Sequence, residues 1–379
     1  MSTDAGLSVY IHVPFCRRRC AYCSFVSFAG READIPAYTR ALVEEIKLRR
    51  VAGAEVKTIY FGGGTPSLLP PDLLNLILKA LDEYYVLDDR AEITLEANPG
   101  TIDRKYLEAV RSLGINRLSL GVQSLDDAEL QLLGRIHTAN EAREAIQQTQ
   151  AAGFRNISLD FIYGVPGRSI ATWRKMLAEI VTLGAQHLSL YGLTLEEDTP
   201  MQKRVERGEI AAPDNDAEAS EYELAEEVLS NAGYIHYEIS NWAKPGFESR
   251  HNTAYWKRAP YLGLGVAAHS FLDNQRIANT SDLDEYLASL SQGKLPPQTV
   301  EIIDAAAALS EALFLGLRLD EGVSADDIQA RFSIDLYSRF GSEITELLSF
   351  GLLVREGDRI KLTPRGRLLG NEVFMRFLT

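Results

Sequence analysis

The sequence predicts an α/β fold built on a mainly parallel sheet. Three observations carry that prediction. A short β-rich run, a turn and a longer helical pattern recur six times through the first two-thirds of the chain. Glycines stand where three of the helical runs end. Polar and glycine-rich clusters follow strand after strand.

The elements run as follows. Leu7 to Val13 (LSVYIHV) reads as the first strand, and Ile35 to Val51 as a helix carrying Tyr38, Leu42, Val43 and Ile46. Val56 to Phe61 is the second strand and runs into Gly62, Gly63 and Gly64. Residues 71–85 repeat helical spacing with Leu73, Leu76, Ile77 and Leu81. Strands follow near 91–96, 116–121, 156–162 and 186–191, and helices near 103–113, 139–152 and 170–183. The last three helices are followed by Gly114, Gly153 and Gly184, where a left-handed cap belongs. Tyr234 to Ile239 is a final strand candidate.

Parallel strands need crossover connections, which helices supply. Six repeats can close partly into a barrel or lie as an open doubly wound sheet. Either arrangement puts ligands at the carboxyl ends of the strands. The residues there are the cysteine loop, GGGTPS, Glu96 to Pro99, Gly121 to Ser124 and Tyr163 to Pro166.

The expected organisation is a core over 1–240, a connecting region over 241–300 and a small C-terminal module over 301–379. In that module, 304–318 and a further pair of runs read as helices. LLVREGDRIKLT reads as a strand–turn–strand around Glu-Gly-Asp, and 364–378 as a closing helix. Helices with a small β wing read as winged-helix-like. The chain carries 39 basic and 53 acidic residues, a net charge of −14, and no basic recognition stretch. That balance excludes a general nucleic-acid binder and favours a lid or partner-docking role. With 46% hydrophobic and 24% charged residues and no apolar run of 18, the chain reads as globular without a membrane span. The MSTDAGLSVY start lacks a basic region and an apolar core, so a cytoplasmic location is expected.

The three cysteines, Cys16, Cys20 and Cys23, fall within eight residues as C-x3-C-x2-C. An odd set with no distant partner argues against disulfides and for a metal site. A structural zinc site needs four protein ligands, with His12 a candidate fourth. A cubane cluster normally takes four cysteines, so three leave one iron open to a small molecule. Arg17, Arg18 and Arg19 lie between the first two cysteines and would favour thiolate, or form a solvated basic patch. Elsewhere, Gly63, Gly64 and Thr65 allow close backbone approach, and Glu96 offers a carboxylate at a strand tip. Gln123 offers an amide, Arg135 a bidentate cation, and Asp160 an acid in an otherwise apolar strand.

C-x3-C-x2-C after a first strand, with Tyr22 before the last cysteine and GGGTP after the next strand, resembles the radical-SAM superfamily signature. The resemblance implies a [4Fe–4S] cluster whose open iron is chelated by S-adenosylmethionine. YIHVPFC, CAYC, YFGGGTPS, LEANP, SLGVQS, LGRIH, LDFIYGVPG, HNTAYW and LGVAAHSF together resemble the oxygen-independent coproporphyrinogen III oxidase-like family. This resemblance implies a partial (β/α)6 TIM-like barrel with a small C-terminal domain. It also implies cofactor contacts at Tyr10, Tyr22, Gly63, Gly64, Thr65, Glu96, Gln123, Arg135 and Asp160.

Two departures bear on activity. The dehydrogenases resemble C-x3-C-x2-C-x-C, and Phe25 occupies the further cysteine's position; their longer N-terminal segment is also absent. The remaining resemblance is to the HemW type of radical-SAM haem chaperones, supported by HNTAYW over His251 to Trp256. It implies haem as cargo with His251 as its contact, and His269 in AAHSF is a second candidate ligand. Implied partners are a haem-accepting respiratory protein and an electron donor such as a flavodoxin or ferredoxin. Peripheral membrane contact and a homodimer stay open. The alternative is decarboxylation of coproporphyrinogen III by a 5′-deoxyadenosyl radical.

Overall fold

The computed structural model describes residues 6–50 and 53–378. Six strands form the core: β1 (Leu7–Val13), β2 (Glu55–Gly63), β3 (Val86–Ala97), β4 (Arg117–Gln123), β5 (Ile157–Tyr163) and β6 (His187–Gly192). They lie side by side in chain order, and every neighbouring pair is parallel. Helices α1 (Ile35–Leu48), α2 (Pro71–Tyr84), α3 (Arg104–Ser112), α4 (Ala139–Ala151) and α5 (Ile170–Thr182) make the crossovers. This is the partial (β/α)6 barrel, and the expected strands and helices appear within a few residues of their predicted ends, the Val51 end of the first helix lying outside the described residues. Gly114, Gly153 and Gly184 take the positive φ expected of caps.

The two faces of each strand do different work, as a period of two dictates. On β1, Val9, Ile11 and Val13 are fully buried in the same apolar core as Leu42 and Ile46 of α1 and Ile77 of α2. The alternate positions carry Ser8, Tyr10 and His12, and those of β2 carry Thr58 and Tyr60. On the next strands Glu92, Glu96, Arg117, Ser119, Ser158 and Asp160 continue the series. A mostly polar lumen results.

The strands after residue 230 extend this sheet at both ends. β7 (Ile235–Glu238) does not pair with β6. β8 (Asn241–Ala243) lies between them, antiparallel to both. The boundary expected at residue 240 therefore falls inside the sheet, because two short strands and a turn fill its edge. α6 (Asn215–Asn231), a helix the sequence reading left out, packs on α5. At the other edge α7 (Arg250–Trp256) precedes β9 (Tyr261–Leu264), which pairs parallel with β1. β10 (His269–Leu272), β11 (Gln275–Asn279) and β12 (Gln298–Ile302) continue antiparallel, with α8 (Leu283–Ser291) packed on α1.

The C-terminal module has its own core, from Leu309 to Phe377. α9 (Ala305–Gly316) leads into a three-stranded antiparallel sheet whose hairpin, Leu353–Glu356 with Arg359–Leu362, turns at Gly357 as the sequence predicts. The closing helix divides into Pro364–Leu368 and Gly370–Met375, because Leu369 leaves helical geometry at φ −108° and ψ 28°. Backbone bonds from Ile239 N to Arg318 O (3.1 Å) and from Asp320 N to Tyr237 O (2.9 Å) cover the free edge at β7. Among the described residues no helix is long and apolar enough to cross a membrane.

One buried carboxylate ties the added strands to the barrel. Glu45 on α1 is fully buried and accepts from Arg49 Nε (2.8 Å), Tyr286 Oη (2.7 Å), Asn279 Nδ2 (2.8 Å) and Gly265 N (2.8 Å). Removing it takes the acceptor from Tyr286 Oη and Gly265 N and the counter-charge from the nearly buried Arg49. Glu45→Ala is expected to lower stability by about 3 kcal/mol in urea unfolding, more than a surface substitution would.

Candidate cofactor site

The carboxyl ends of the strands converge on a cavity of about 450 Å³. Cys16, Cys20 and Cys23 all line it. The cysteine loop leaves β1 and is pinned at several points along its length. Phe15–Cys16 pairs with Phe28–Ala29, Ala21 N donates to Leu133 O at 3.0 Å, and Met201 N donates to Ala21 O at 2.9 Å. All three thiols border a space large enough for more than a single ion. That arrangement suits a multi-iron cluster and not the closed tetrahedron of structural zinc. His12, the candidate fourth zinc ligand, instead bonds Val26 O and Tyr10 Oη through its two ring nitrogens.

A polar chain joins two of the thiols. Cys16 Sγ meets Thr65 Oγ1 at 3.5 Å, Asn98 Nδ2 donates to Thr65 Oγ1 at 2.9 Å, and Asn98 Oδ1 accepts from Arg135. Arg135 also donates to Cys20 Sγ at 3.3 Å and to Gly121 O at 2.7 Å. Arg135 therefore serves the Cys20 thiol from 115 residues away, while the charge of Arg19 favours the Cys23 thiolate. Arg17, Arg18 and Arg19 are exposed; Arg17 and Arg19 are spent on the carbonyls of Gly100 and Cys23. Burial pushes the thiols of Cys16 and Cys23 up, so these ligands hold their protons until a metal displaces them.

Glycine is required where GGGTP meets this loop. Gly63 sits at φ +113°, and a Cβ there would stand 2.6 Å from the His12 ring. A Cβ on Gly64 would stand 2.7 Å from Phe15 O and 3.0 Å from Cys16 Sγ. Gln123 adopts φ +68° beside a bulge in β4, a left-handed conformation uncommon for a residue with a side chain.

Two carboxylates face the cavity from the lumen. Asp160 accepts from Ser119 Oγ (3.0 and 3.1 Å) and Ser158 Oγ (3.2 Å), the partners its position demands, and burial pushes its carboxyl up. Glu96 accepts from Tyr60 Oη (2.7 Å) and Gly63 N (3.2 Å).

Of the expected cofactor contacts, Tyr22, Gly63, Gly64, Thr65, Glu96, Gln123, Arg135 and Asp160 line this one cavity. Tyr10 does not: it faces a second cavity, with its hydroxyl turned to His12 and its ring 6.2 Å from that of Tyr60. His251 lines neither cavity. It is 1% exposed, with Nδ1 on Thr58 Oγ1 (2.7 Å) and Nε2 on Tyr255 Oη (2.8 Å). Burial, then the charge of Arg117, lowers its pKa to about 3. Both ring nitrogens are engaged by hydroxyls, so His251 ties α7 to β2. Asn98, Tyr60 and Ser119 were not singled out from the sequence. Tyr60 and Ser119 were findable as lumen-facing positions in alternating strands, and Asn98 as the residue after a strand tip.

Residues 10–180 match the radical SAM superfamily and residues 303–369 the HemN C-terminal domain. Heme chaperone HemW of Lactococcus lactis is 36% identical over 371 residues, covering 98% of this chain and 97% of that protein. The chain belongs to the HemW family. A second HemW, of Bacillus subtilis, is 32% identical over 374 residues, covering 98% and 99%. The solved structure of Escherichia coli coproporphyrinogen III oxidase (HemN), a radical SAM enzyme, superposes with a TM-score of 0.86 at 23% identity, over 100% of this chain and 91% of that one. HemW and HemN thus share a fold. Radical-SAM membership implies a [4Fe–4S] cluster and S-adenosylmethionine. The donor set fits: three thiols on one cavity, no fourth cysteine, and glycines where the backbone must pass close.

Burial pushes the Glu96 carboxyl up to about 7, helped by the charge of Asp160 and opposed by the bonds from Tyr60 and Gly63. Its proton is held more tightly in the folded than in the unfolded chain. Its contribution to stability is therefore full below the unfolded value, about 4.3, and is lost as pH rises through about 7. Between about pH 5 and pH 8 the ligand-free protein should lose more unfolding free energy than Glu96→Gln. Parallel pH profiles would contradict this.

Proposed function

We propose that this protein is a haem chaperone. It holds haem beside a [4Fe–4S] cluster and S-adenosylmethionine, and passes the haem to an acceptor such as a respiratory protein. The observation that carries the reading is the correspondence, over nearly the whole length of both chains, to proteins named heme chaperone HemW. A cytoplasmic location and an electron donor of flavodoxin or ferredoxin type belong to the same proposal.

The chain's own groups divide the work. Cys16, Cys20 and Cys23 hold three irons, and Thr65 and Arg135 steady two of the sulfurs. The glycine-lined turn lets backbone groups reach a bound methionine moiety. Glu96 and Asp160, preset by Tyr60 and Ser119, accept hydrogen bonds from a ligand's hydroxyl or ammonium groups. When bound, the cluster and cofactor supply one-electron cleavage of a sulfonium, the chemistry of the superfamily.

The fold shared with HemN favours a second reading, decarboxylation of coproporphyrinogen III. Against it stands Phe25 at the further cysteine's position, 65% exposed and bordering the cavity. An anaerobic assay separates the two. Reconstituted protein receives S-adenosylmethionine, a reductant and coproporphyrinogen III, with cofactor cleavage followed in the same tube. In parallel, haem-loaded protein is mixed with a haem-free b-type cytochrome. Unchanged coproporphyrinogen together with haem appearing in the cytochrome is expected. Protoporphyrinogen formation without haem transfer would overturn the chaperone reading.

A further inference from the structure

The six histidines divide into five engaged rings and one free ring. His12, His137, His187, His236 and His251 are buried, and each ring makes at least one hydrogen bond. His269, at the start of β10, is exposed, and among the described residues its ring has no hydrogen-bond partner. It lines a cavity of about 450 Å³ bordered by β1, β9, β10, α7 and α9. That size lies in the range of about 300–1,000 Å³ typical of cofactor sites.

The walls suit a flat aromatic ligand bearing carboxylates. Tyr255 and Trp256 come from α7, Tyr261 from β9 and Phe271 from β10, with the Tyr255 and Tyr261 rings edge-to-face at 4.7 Å. Two donors in this wall lack acceptors: Trp256 Nε1 and Arg258 Nη2. The Arg258 side chain is only 8% exposed, with its Nε on Glu311 Oε2 at 2.8 Å. Glu311 is shared with Arg276 at 2.6 Å, and the exposed Glu301 lies 3.5 Å from Arg276. A buried guanidinium nitrogen without a partner is a place for an incoming carboxylate.

We propose that haem binds in this cavity with His269 as the axial ligand of its iron, its faces against the aromatic walls and a propionate on Arg258. This rests on the chaperone reading and assigns its cargo site. His251 then acts as a positioning residue: its ring holds the hydroxyl of Tyr255, one of the cavity walls, while Thr58 fixes it from below. The tyrosine and tryptophan of the HNTAYW helix serve the site, and its histidine holds them there. Ligation forms one bond from a ring nitrogen lone pair to iron and changes no oxidation state. Because His269 is exposed, an acceptor's own ligand can replace it without a covalent step.

The test titrates ferric haem into the full-length reconstituted protein and into His269→Gly and His251→Ala, reading Soret absorption and resonance Raman signatures of imidazole ligation. Iron and sulfide content is measured on each protein. His269→Gly is expected to lose the imidazole signature and to bind at least about tenfold more weakly. Free imidazole should restore the signature, and His251→Ala should keep it. A wild-type spectrum and affinity in His269→Gly, with ligation lost in His251→Ala, would overturn the assignment while leaving the chaperone reading intact. A wild-type protein that takes up no haem would overturn both.

Discussion

Three thiols cannot saturate four irons, and this chain has no fourth cysteine. That shortage organises the cofactor site. The open iron must face a small molecule, so the loop has to present its sulfurs to a cavity rather than close around a point. The GGGTP turn must let backbone pass within contact distance of Cys16, which a side chain on Gly64 would prevent. Arg135 must reach the loop from the connection that follows β4, and it enters over Gly121, where a Cβ would crowd its guanidinium. Each requirement sits at a strand's carboxyl end, where connecting loops can vary without disturbing the sheet.

The lumen imposes the second constraint. Its acids and its one arginine are removed from water and must be satisfied internally or by a ligand. The network around Asp160 meets that demand with serines, and the Glu96 network with a tyrosine and a backbone amide. Arg117, 1% exposed, makes no ion pair among the described residues, and its Nε has no partner. Its charge helps keep His187 and His251 neutral. Tyr10, Tyr60 and His251 form an aromatic partition, with rings 5.0 to 6.5 Å apart. Tyr60 lines the thiol-lined cavity and Tyr10 the cavity of His269, so the two cavities meet at this ring cluster.

Much of this was legible in the sequence because the signals are local. Leu7–Val13 alternates and is flanked by turn residues, and its observed bounds match the reading. The convergence of the cysteine loop, GGGTP, Glu96 and Gln123 followed from strand–helix alternation alone. What escaped depends on long-range contact. Asn241–Ala243 is three residues long and has no period to read, yet it displaces β7 from the barrel. The arginine triplet is adjacent to the thiols in sequence and exposed in space, whereas Arg135 is remote in sequence and touches Cys20. Alternation says that Tyr10 faces inward but not which cavity it meets. A motif names His251 without saying that Thr58 and Tyr255 occupy its ring.

The most direct test of the open-site account is Mössbauer spectroscopy of ⁵⁷Fe-reconstituted protein, recorded with and without S-adenosylmethionine. The account predicts a [4Fe–4S] cluster in which one iron alone shifts when the cofactor binds, reporting a coordination change at the iron without a thiolate. Four equivalent irons indifferent to the cofactor, or a protein that holds zinc in place of iron and sulfide, would contradict it.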